Sequence, residues 1–282
     1  MKVTFFGVRG TSPVTQPAFS RYGGDTTSLL VEGAGGEQII IDAGTGLRNL
    51  GRRLIREPHE PTLFLLMTHY HLDHLIGLPS FAPLYRDSMR LTIASPERKG
   101  RTPEEVVSKI FDAPLWPLQI DTIPAWITFL TLPPDNGGGP FRRGWLLVRW
   151  TGLHHPGGAT AYRIDEPATG ASFVFATDVE WNESSAEEKT AFELLCQEPA
   201  PPELLVFDGQ YDDRNYPDYR GWGHSTWQNA VDVAERVRAG QLIVTHHDPL
   251  ADDSILEKIE ENLTRVSPTA RLGRQGMEVV LK

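Results

Sequence analysis

The chain has very little cysteine: Cys196 stands alone among 282 residues. A lone cysteine excludes an intrachain disulfide and a cysteine-built metal cluster. Long apolar runs are missing too. Nothing approaches the roughly 18 consecutive apolar residues of a membrane span. The opening "MKVTFFGVRG" holds an apolar stretch too short for a signal peptide, interrupted by Thr4 and Gly7. A soluble, cytoplasmic protein with no membrane partner is the expectation. Positive charge is also scarce: 27 Lys and Arg face 37 Asp and Glu, a net charge of -10. That balance argues against a general electrostatic grip on DNA or RNA, although it leaves room for a local basic site.

What is present is ordinary in bulk. Hydrophobic content of 40% and charged content of 23% suit a folded globular chain. The length permits one large domain or two small ones. "KVTFFGV" reads as a strand, and "TSLLVE" and "EQIIIDAG" flank a Gly-rich turn as a hairpin. "GLRNLGRRLIRE" has helical apolar spacing. "PTLFLLMT" is a buried strand by length, "HLIGLPSFAPLY" a short helix broken by prolines, and "RLTIASP" another strand. Residues 111–150 read as a Pro-rich loop with the turn "PPDNGGGP" and four tryptophans (116, 126, 145 and 150), closed by the strand "WLLVRWTGL". Packing, a pocket wall and an oligomer contact are all open for this segment. Then "AYRIDEP" and "SFVFATD" form a hairpin. "SSAEEKTAFELLCQ" is a helix capped by Ser185 or Ser184, with Glu188 or Glu187 in the capping box. "ELLVFDG" is a strand, "TWQNAVDVAERVRAG" a helix ended by Gly240, "QLIVTHHDP" a strand and "DDSILEKIEENLTRV" a helix.

The informative stretch is "LFLLMTHYHLDHLIGL". Three of the nine histidines and one aspartate fall within six positions: His69, His71, Asp73 and His74. Residues two apart share a face of an extended segment, so His69 and His71 can bite one ion at the strand's end. Asp73 and His74 follow a turn and point elsewhere, towards a second ion. Imidazole and carboxylate together suit Zn, and also Mn or Fe. Other strand ends offer more ligands: His154 and His155 in "GLHHPGG", Asp178 in "FVFATD", His246 and His247 in "LIVTHHDP". Together they have the composition of a two-metal hydrolase.

"THYHLDH" resembles the HxHxDH signature of the metallo-β-lactamase fold superfamily. The order of motifs agrees: "IIIDAGTG" first, then a His, an Asp and a final His. The resemblance implies an α+β fold, a four-layer αβ/βα sandwich of two mixed β-sheets flanked by helices, and it spans the chain as a single hydrolase domain, 1–282. It implies two divalent metal ions. His69, His71 and His155 would hold one, Asp73, His74 and His246 the other, and Asp178 would bridge. Asp42 resembles the aspartate that orients a ligating histidine. His155 is preferred to His154 because it directly precedes Pro-Gly-Gly, and His246 to His247 because it follows "VT". "GWGHSTW" resembles the HST segment of ribonuclease Z and related phosphodiesterases, which makes His224 a general acid braced by Asp208. The family's ribonucleases usually carry Glu at the Asp208 position, so this is a departure. "FFGVRGTSP" and "RYGGDTTSLLVE" look like the opening of bacterial phosphodiesterase-like members, many of which have Asn in place of Asp25. Arg9 is a candidate phosphate contact; a structural turn role is the alternative.

The expectation is a phosphodiesterase acting on a small, cyclic nucleotide through a hydroxide held by the two metals. Asp73 sits at the catalytic centre, with His224 as proton donor. RNA processing of the ribonuclease Z kind ranks second, because it needs a basic docking arm and "PFRRGW" is only a short basic spot. Thiolesterase, sulfatase and β-lactamase chemistry belong to the same fold, and a non-catalytic nucleotide or metal sensor is the alternative of another class. A homodimer bordered by residues 111–150 is also expected.

Overall fold

The computed structural model describes residues 1–56, 62–134 and 140–282. The first half runs β1 (Lys2–Gly7), β2 (Ser28–Glu32), β3 (Gln38–Ile41), α1 (Leu47–Leu54), β4 (Thr62–Leu66), β5 (Arg90–Pro96), α2 (Pro103–Ile110) and β6 (Trp126–Leu132). The second runs β7 (Phe141–Arg143), β8 (Leu146–Leu153), β9 (Ala159–Glu166), β10 (Ala171–Ala176), α3 (Ala186–Gln197), β11 (Leu204–Asp208), α4 (Trp227–Val237), β12 (Gln241–Thr245), α5 (Asp253–Val266), β13 (Ala270–Leu272) and β14 (Glu278–Val280). The strands make two seven-stranded sheets, in the orders β14-β1-β2-β3-β4-β5-β6 and β13-β12-β11-β10-β9-β8-β7.

Strand alternation explains why the sheets stack. Successive side chains point to opposite faces, and here both faces are apolar. Leu29, Val31, Ile39 and Ile41 join Ile164, Phe173, Phe175 and Val206 in the core between the sheets. Leu30 and Ile40 point the other way and pack under Leu47, Leu50 and Leu54 of α1 and Val107 of α2. Val174, Leu205 and Phe207 likewise face Phe192 of α3, Val233 of α4 and Leu263 of α5. The result is helix, sheet, sheet, helix: the four-layer sandwich of two mixed sheets.

Topology places the site. β3, β4, β5 and β6 are mutually parallel, as are β10, β11, β12 and β13. Ligands bind beyond the carboxyl ends of parallel strands, and this chain sets its His and Asp residues there. Asp42 follows β3, His69 and His71 follow β4, Asp178 follows β10, Asp208 ends β11 and His246 follows β12.

Several local expectations need correction. Residues 111–150 are not one loop: β6 extends the first sheet and β7 the second. "WITFLTL" of β6 pairs in parallel with β5 along its whole length, so prolines on either side bound a strand there. The middle of the turn "PPDNGGGP", residues 135–139, lies outside the described residues. Of the tryptophans, Trp150 is buried while Trp126 and Trp145 are exposed. α2 was not anticipated, although Thr102 caps it in a full capping box with Glu105 and Pro103 opens it. α4 stops before Gly240: Arg238 caps it in the left-handed region at φ 56°. "HLIGLPSFAPLY" forms separate 3₁₀ turns at Leu78–Ser80 and Ala82–Tyr85, after one at Leu72–His74, and not one helix. The α3 cap is Ser185 with Glu188.

Candidate metal centre

The histidine-rich segment leaves β4 extended and then turns. His71 has φ -68° and ψ 152°, after which Leu72–His74 make a single 3₁₀ turn. His69 and His71 present their rings edge to face, 4.5 Å apart. Asp42, Asp178 and His246 all have left-handed backbones, at φ 59°, 60° and 64°. Asp and His enter that region more readily than most residues, but each such position still costs about 1–3 kcal/mol. These backbones turn Asp178 and His246 to a common point and place the Asp42 carboxylate behind His74.

Asp178 is at that point. Its Oδ1 lies 3.7 Å from His69 Nε2 and 3.8 Å from His155 Nε2. Its Oδ2 lies 3.2 Å from His74 Nε2 and 3.4 Å from His246 Nε2. Asp73 Oδ2 closes the second group, 3.3 Å from His74 Nε2 and 3.5 Å from His246 Nε2. His71 Nδ1 closes the first, 3.0 Å from His155 Nε2. His69, His71, His155 and Asp178 could hold one ion, and Asp73, His74 and His246 another.

The acceptors behind the rings show that this cluster fits cations. His74 Nδ1 meets Asp42 Oδ2 at 2.8 Å, His246 Nδ1 meets Gln210 Oε1 at 2.9 Å, and His155 Nδ1 meets the Gly223 carbonyl at 2.8 Å. Each contact keeps a ring proton on Nδ1, so Nε2 is the atom left to face an ion. His69 Nε2 and Asp178 Oδ2 are buried and make no hydrogen bond among the described residues. Lone pairs facing lone pairs and carboxylates in a dry site require positive charge.

Electrostatics divides the two groups. Burial pushes His69 and His71 down, and His155 to about 4, so these rings are neutral. Burial acts on His74 and His246 too, but Asp178 and the neighbouring carboxylates overcome it and raise both. Asp73 and Asp178, despite burial, are held well below the usual carboxylate range by the surrounding histidines. Burial raises Asp42, against opposition from His74 and Thr68.

His224 stands beside the cluster, stacked on His246 at 4.8 Å. Its Nδ1 is 3.0 Å from Asp208 Oδ2. Asp208 also accepts from the Asp178, Ser225 and Gln210 amides, so one buried carboxylate ties the Asp178 loop to the His224 loop. Glu180 and Gln210 were missed by sequence reasoning. Glu180 accepts from Tyr216 Oη and from the Gly221 and Gly223 amides, at 2.7–2.8 Å, fixing the loop that carries His224. Gly223, at φ +92°, is there because a Cβ would stand 2.2 Å from His155 Nδ1. The only local signals were "TDVE" and "DGQ", an acid and an amide two residues beyond a site aspartate.

Other candidates fall outside the cluster. His154 turns to Glu188 at 3.1 Å, half-exposed. His247 is buried against Tyr22 and bonds the Gly273 carbonyl. Arg9 is fully buried and donates to the carbonyls of Gly23, Asp248 and Ala251. It fastens loops together and is not a phosphate contact. Asp25 accepts from Asn49 and Gln275. A cleft of about 720 Å³ between β8 and α3, lined by Arg149, Trp150, Leu194 and Leu195, shares no residue with the cluster. A smaller one of about 270 Å³ opens directly onto His69 and His71. None of the described helices is long and apolar enough to cross a membrane.

A four-layer sandwich with this cluster at the strand ends defines the metallo-β-lactamase class of fold. The chain belongs to the family described as the beta-lactamase superfamily domain, whose model matches residues 37–247. It is 26% identical over 327 residues to a ribonuclease Z from Bradyrhizobium diazoefficiens, covering 99% of each chain. It is 25% identical to a zinc phosphodiesterase ELAC protein 2 homolog from Caenorhabditis elegans over 87% of its own length. It spans only 32% of that longer relative. A diphosphatase from the PhnP family shares the fold at TM-score 0.70 and 17% identity, over 100% of this chain and 98% of that one.

Proposed function

We propose that the chain is a two-metal phosphodiester hydrolase. One observation carries the proposal: the two carboxylate oxygens of Asp178 face two separate ligand groups, while His224 stands beside them with its Nδ1 held by Asp208. His69, His71 and His155 would hold one ion and Asp73, His74 and His246 the other, with Asp178 between them. Zinc suits this donor set best, with Mn or Fe as alternatives. Divalent ions bound there would supply Lewis acidity and lower the pKa of a water.

The chain's own groups do the rest. Asp42, Gln210 and the Gly223 carbonyl keep the rings in the ligating tautomer. Asp208 accepts the Nδ1 proton of His224, so the imidazolium form of this ring would carry its second proton on Nε2 and give it to the leaving oxygen. A nearby third grouping, Asp178, His224 and His246, could also hold an ion, but it would set His224 against its bond to Asp208. A small phosphodiester of the cyclic nucleotide class is the preferred substrate. The match along the full length of a ribonuclease Z supports RNA as the second reading. Against it, "PFRRGW" falls on β7, where Arg143 is spent on the Thr62 carbonyl. A homodimer is proposed through the β6 edge, where Trp126 and Leu130 are exposed.

The test is turnover of the zinc-loaded protein on bis-p-nitrophenyl phosphate, 3′,5′- and 2′,3′-cyclic nucleotides, precursor tRNA, a thioester and a β-lactam. Hydrolysis confined to phosphodiesters supports the reading, and metal binding with no turnover on any of them supports a sensor instead. His224→Ala should retain metal and lose roughly 10²–10⁴-fold in turnover, less on p-nitrophenyl esters, whose leaving group needs no proton. Release of an ion by that variant contradicts the acid role.

A further inference from the structure

The cleft that opens onto His69 and His71 is lined on its other side by Arg98, Lys99 and Arg101, and among the described residues no carboxylate lines it. Three cations in four residues are conspicuous in a chain of net charge -10. They sit on a tight turn between β5 and α2. Arg98 and Arg101 exchange backbone hydrogen bonds at 3.0 and 2.9 Å, and Lys99 and Gly100 at the tip have φ 51° and 70°. Positive φ at both central positions defines a type I′ turn, which ordinarily takes Asn-Gly or Gly-Gly there. A lysine is a strained choice, and strain of this kind accumulates at ligand-binding positions.

The three side chains divide the work. Arg98 reaches across to the Ala159 carbonyl and Thr160 Oγ1, so it straps the turn to the start of β9. Arg101 is exposed, and among the described residues its ion pair is a loose one with Glu105 at 3.7 Å. Lys99 is exposed and makes no ion pair among the described residues. The turn is therefore fixed in place while its cationic ends stay available, beside the group that His69 and His71 belong to.

We propose that Lys99 and Arg101 form a subsite for a second phosphate on the substrate, separate from the phosphate that is cleaved. This rests on the phosphodiesterase reading and narrows it: substrates with two phosphates, such as a phosphorylated or dinucleotide diester, are favoured over a mononucleotide with one. Calorimetric titration of the zinc-loaded protein with thymidine 3′,5′-bisphosphate and thymidine 5′-monophosphate tests it without turnover. The bisphosphate should bind about tenfold tighter, and each cation should supply roughly 3–5-fold of that ratio. Lys99→Ala with Arg101→Ala should bring the ratio to about one, and Lys99→Arg should retain it. Equal affinity of the two ligands in the unaltered protein, or a ratio that survives the double variant, overturns the subsite. The p-nitrophenyl ester of thymidine 5′-phosphate, with and without a 3′-phosphate, separates the two claims. An intact ratio without hydrolysis of either ester sinks the hydrolase reading alone, and hydrolysis with a ratio of one sinks the subsite alone.

Discussion

Replacing Asp42 by asparagine should weaken the second ion and spare the first. Asp42 accepts from the Thr68 amide at 2.7 Å through Oδ1, and from Thr68 Oγ1 and His74 Nδ1, each at 2.8 Å, through Oδ2. An amide of the same shape has one oxygen. If that oxygen keeps the Thr68 amide, the new NH₂ faces His74 Nδ1, and the imidazole proton must move to Nε2. That atom is the one 3.2 Å from Asp178 Oδ2, and once protonated it cannot ligate. If the amide flips, the NH₂ meets the Thr68 N–H and leaves a buried donor unpaired, at about 1–3 kcal/mol. Loss of a partner that orients a ligating histidine typically costs 10–100-fold in metal affinity, and the two estimates agree, because a factor of ten is about 1.4 kcal/mol. Asparagine tolerates the left-handed backbone at Asp42, so the substitution is clean where Asp42→Ala would not be. Competition with a chromophoric zinc chelator, alongside ion counting by mass spectrometry, reads both ions. Unchanged affinity for both, or loss of the first ion in place of the second, refutes the reasoning.

The two ions should also differ in their response to pH. The surrounding carboxylates raise His74 and His246, so in the metal-free protein these rings keep a second proton to higher pH than a free imidazole, and the second ion must displace it. Its affinity should rise with pH by about tenfold per unit for each proton released. His69 and His71 are lowered and His155 sits at about 4, so the first ion's affinity should vary less with pH around neutrality than the second's; equal slopes measured with a pH indicator would contradict this. Cys196 is buried, and burial raises its thiol far above the ordinary range. It should ignore a disulfide reagent at pH 8 until the protein unfolds; reaction at the rate of a free thiol would show that α3 opens readily.

Much of this site was legible because its residues sit where buried strands end. The apolar runs before Asp42, His69, Asp178, Asp208 and His246 read as strands, and every one is a parallel strand with its carboxyl end at the site. The internal strands carry apolar residues on both faces, which a pattern of 4–6 residues can show. β6 was hidden because its prolines and exposed edge residues resemble a loop, and only its register with β5 makes it a strand. α2 carries a local start signal in "TPEE", the capping box of Thr102 and Glu105. Glu180 and Gln210 could not be read locally: each acts on a loop some 36 to 43 residues away, and nothing in the chain's order marks such a pairing. The structural role of Arg9 is equally hidden from the chain's order. A guanidinium that matches phosphate equally matches three backbone carbonyls, and burial decides between them.

The most direct test of the central claim is anomalous diffraction at the zinc edge from crystals grown with excess zinc. The expected result is two peaks astride Asp178: one among His69, His71 and His155 beside Oδ1, the other among Asp73, His74 and His246 beside Oδ2, with His224 bound to neither. A single peak at full occupancy, or a peak ligated by His224 in place of its bond to Asp208, would contradict it.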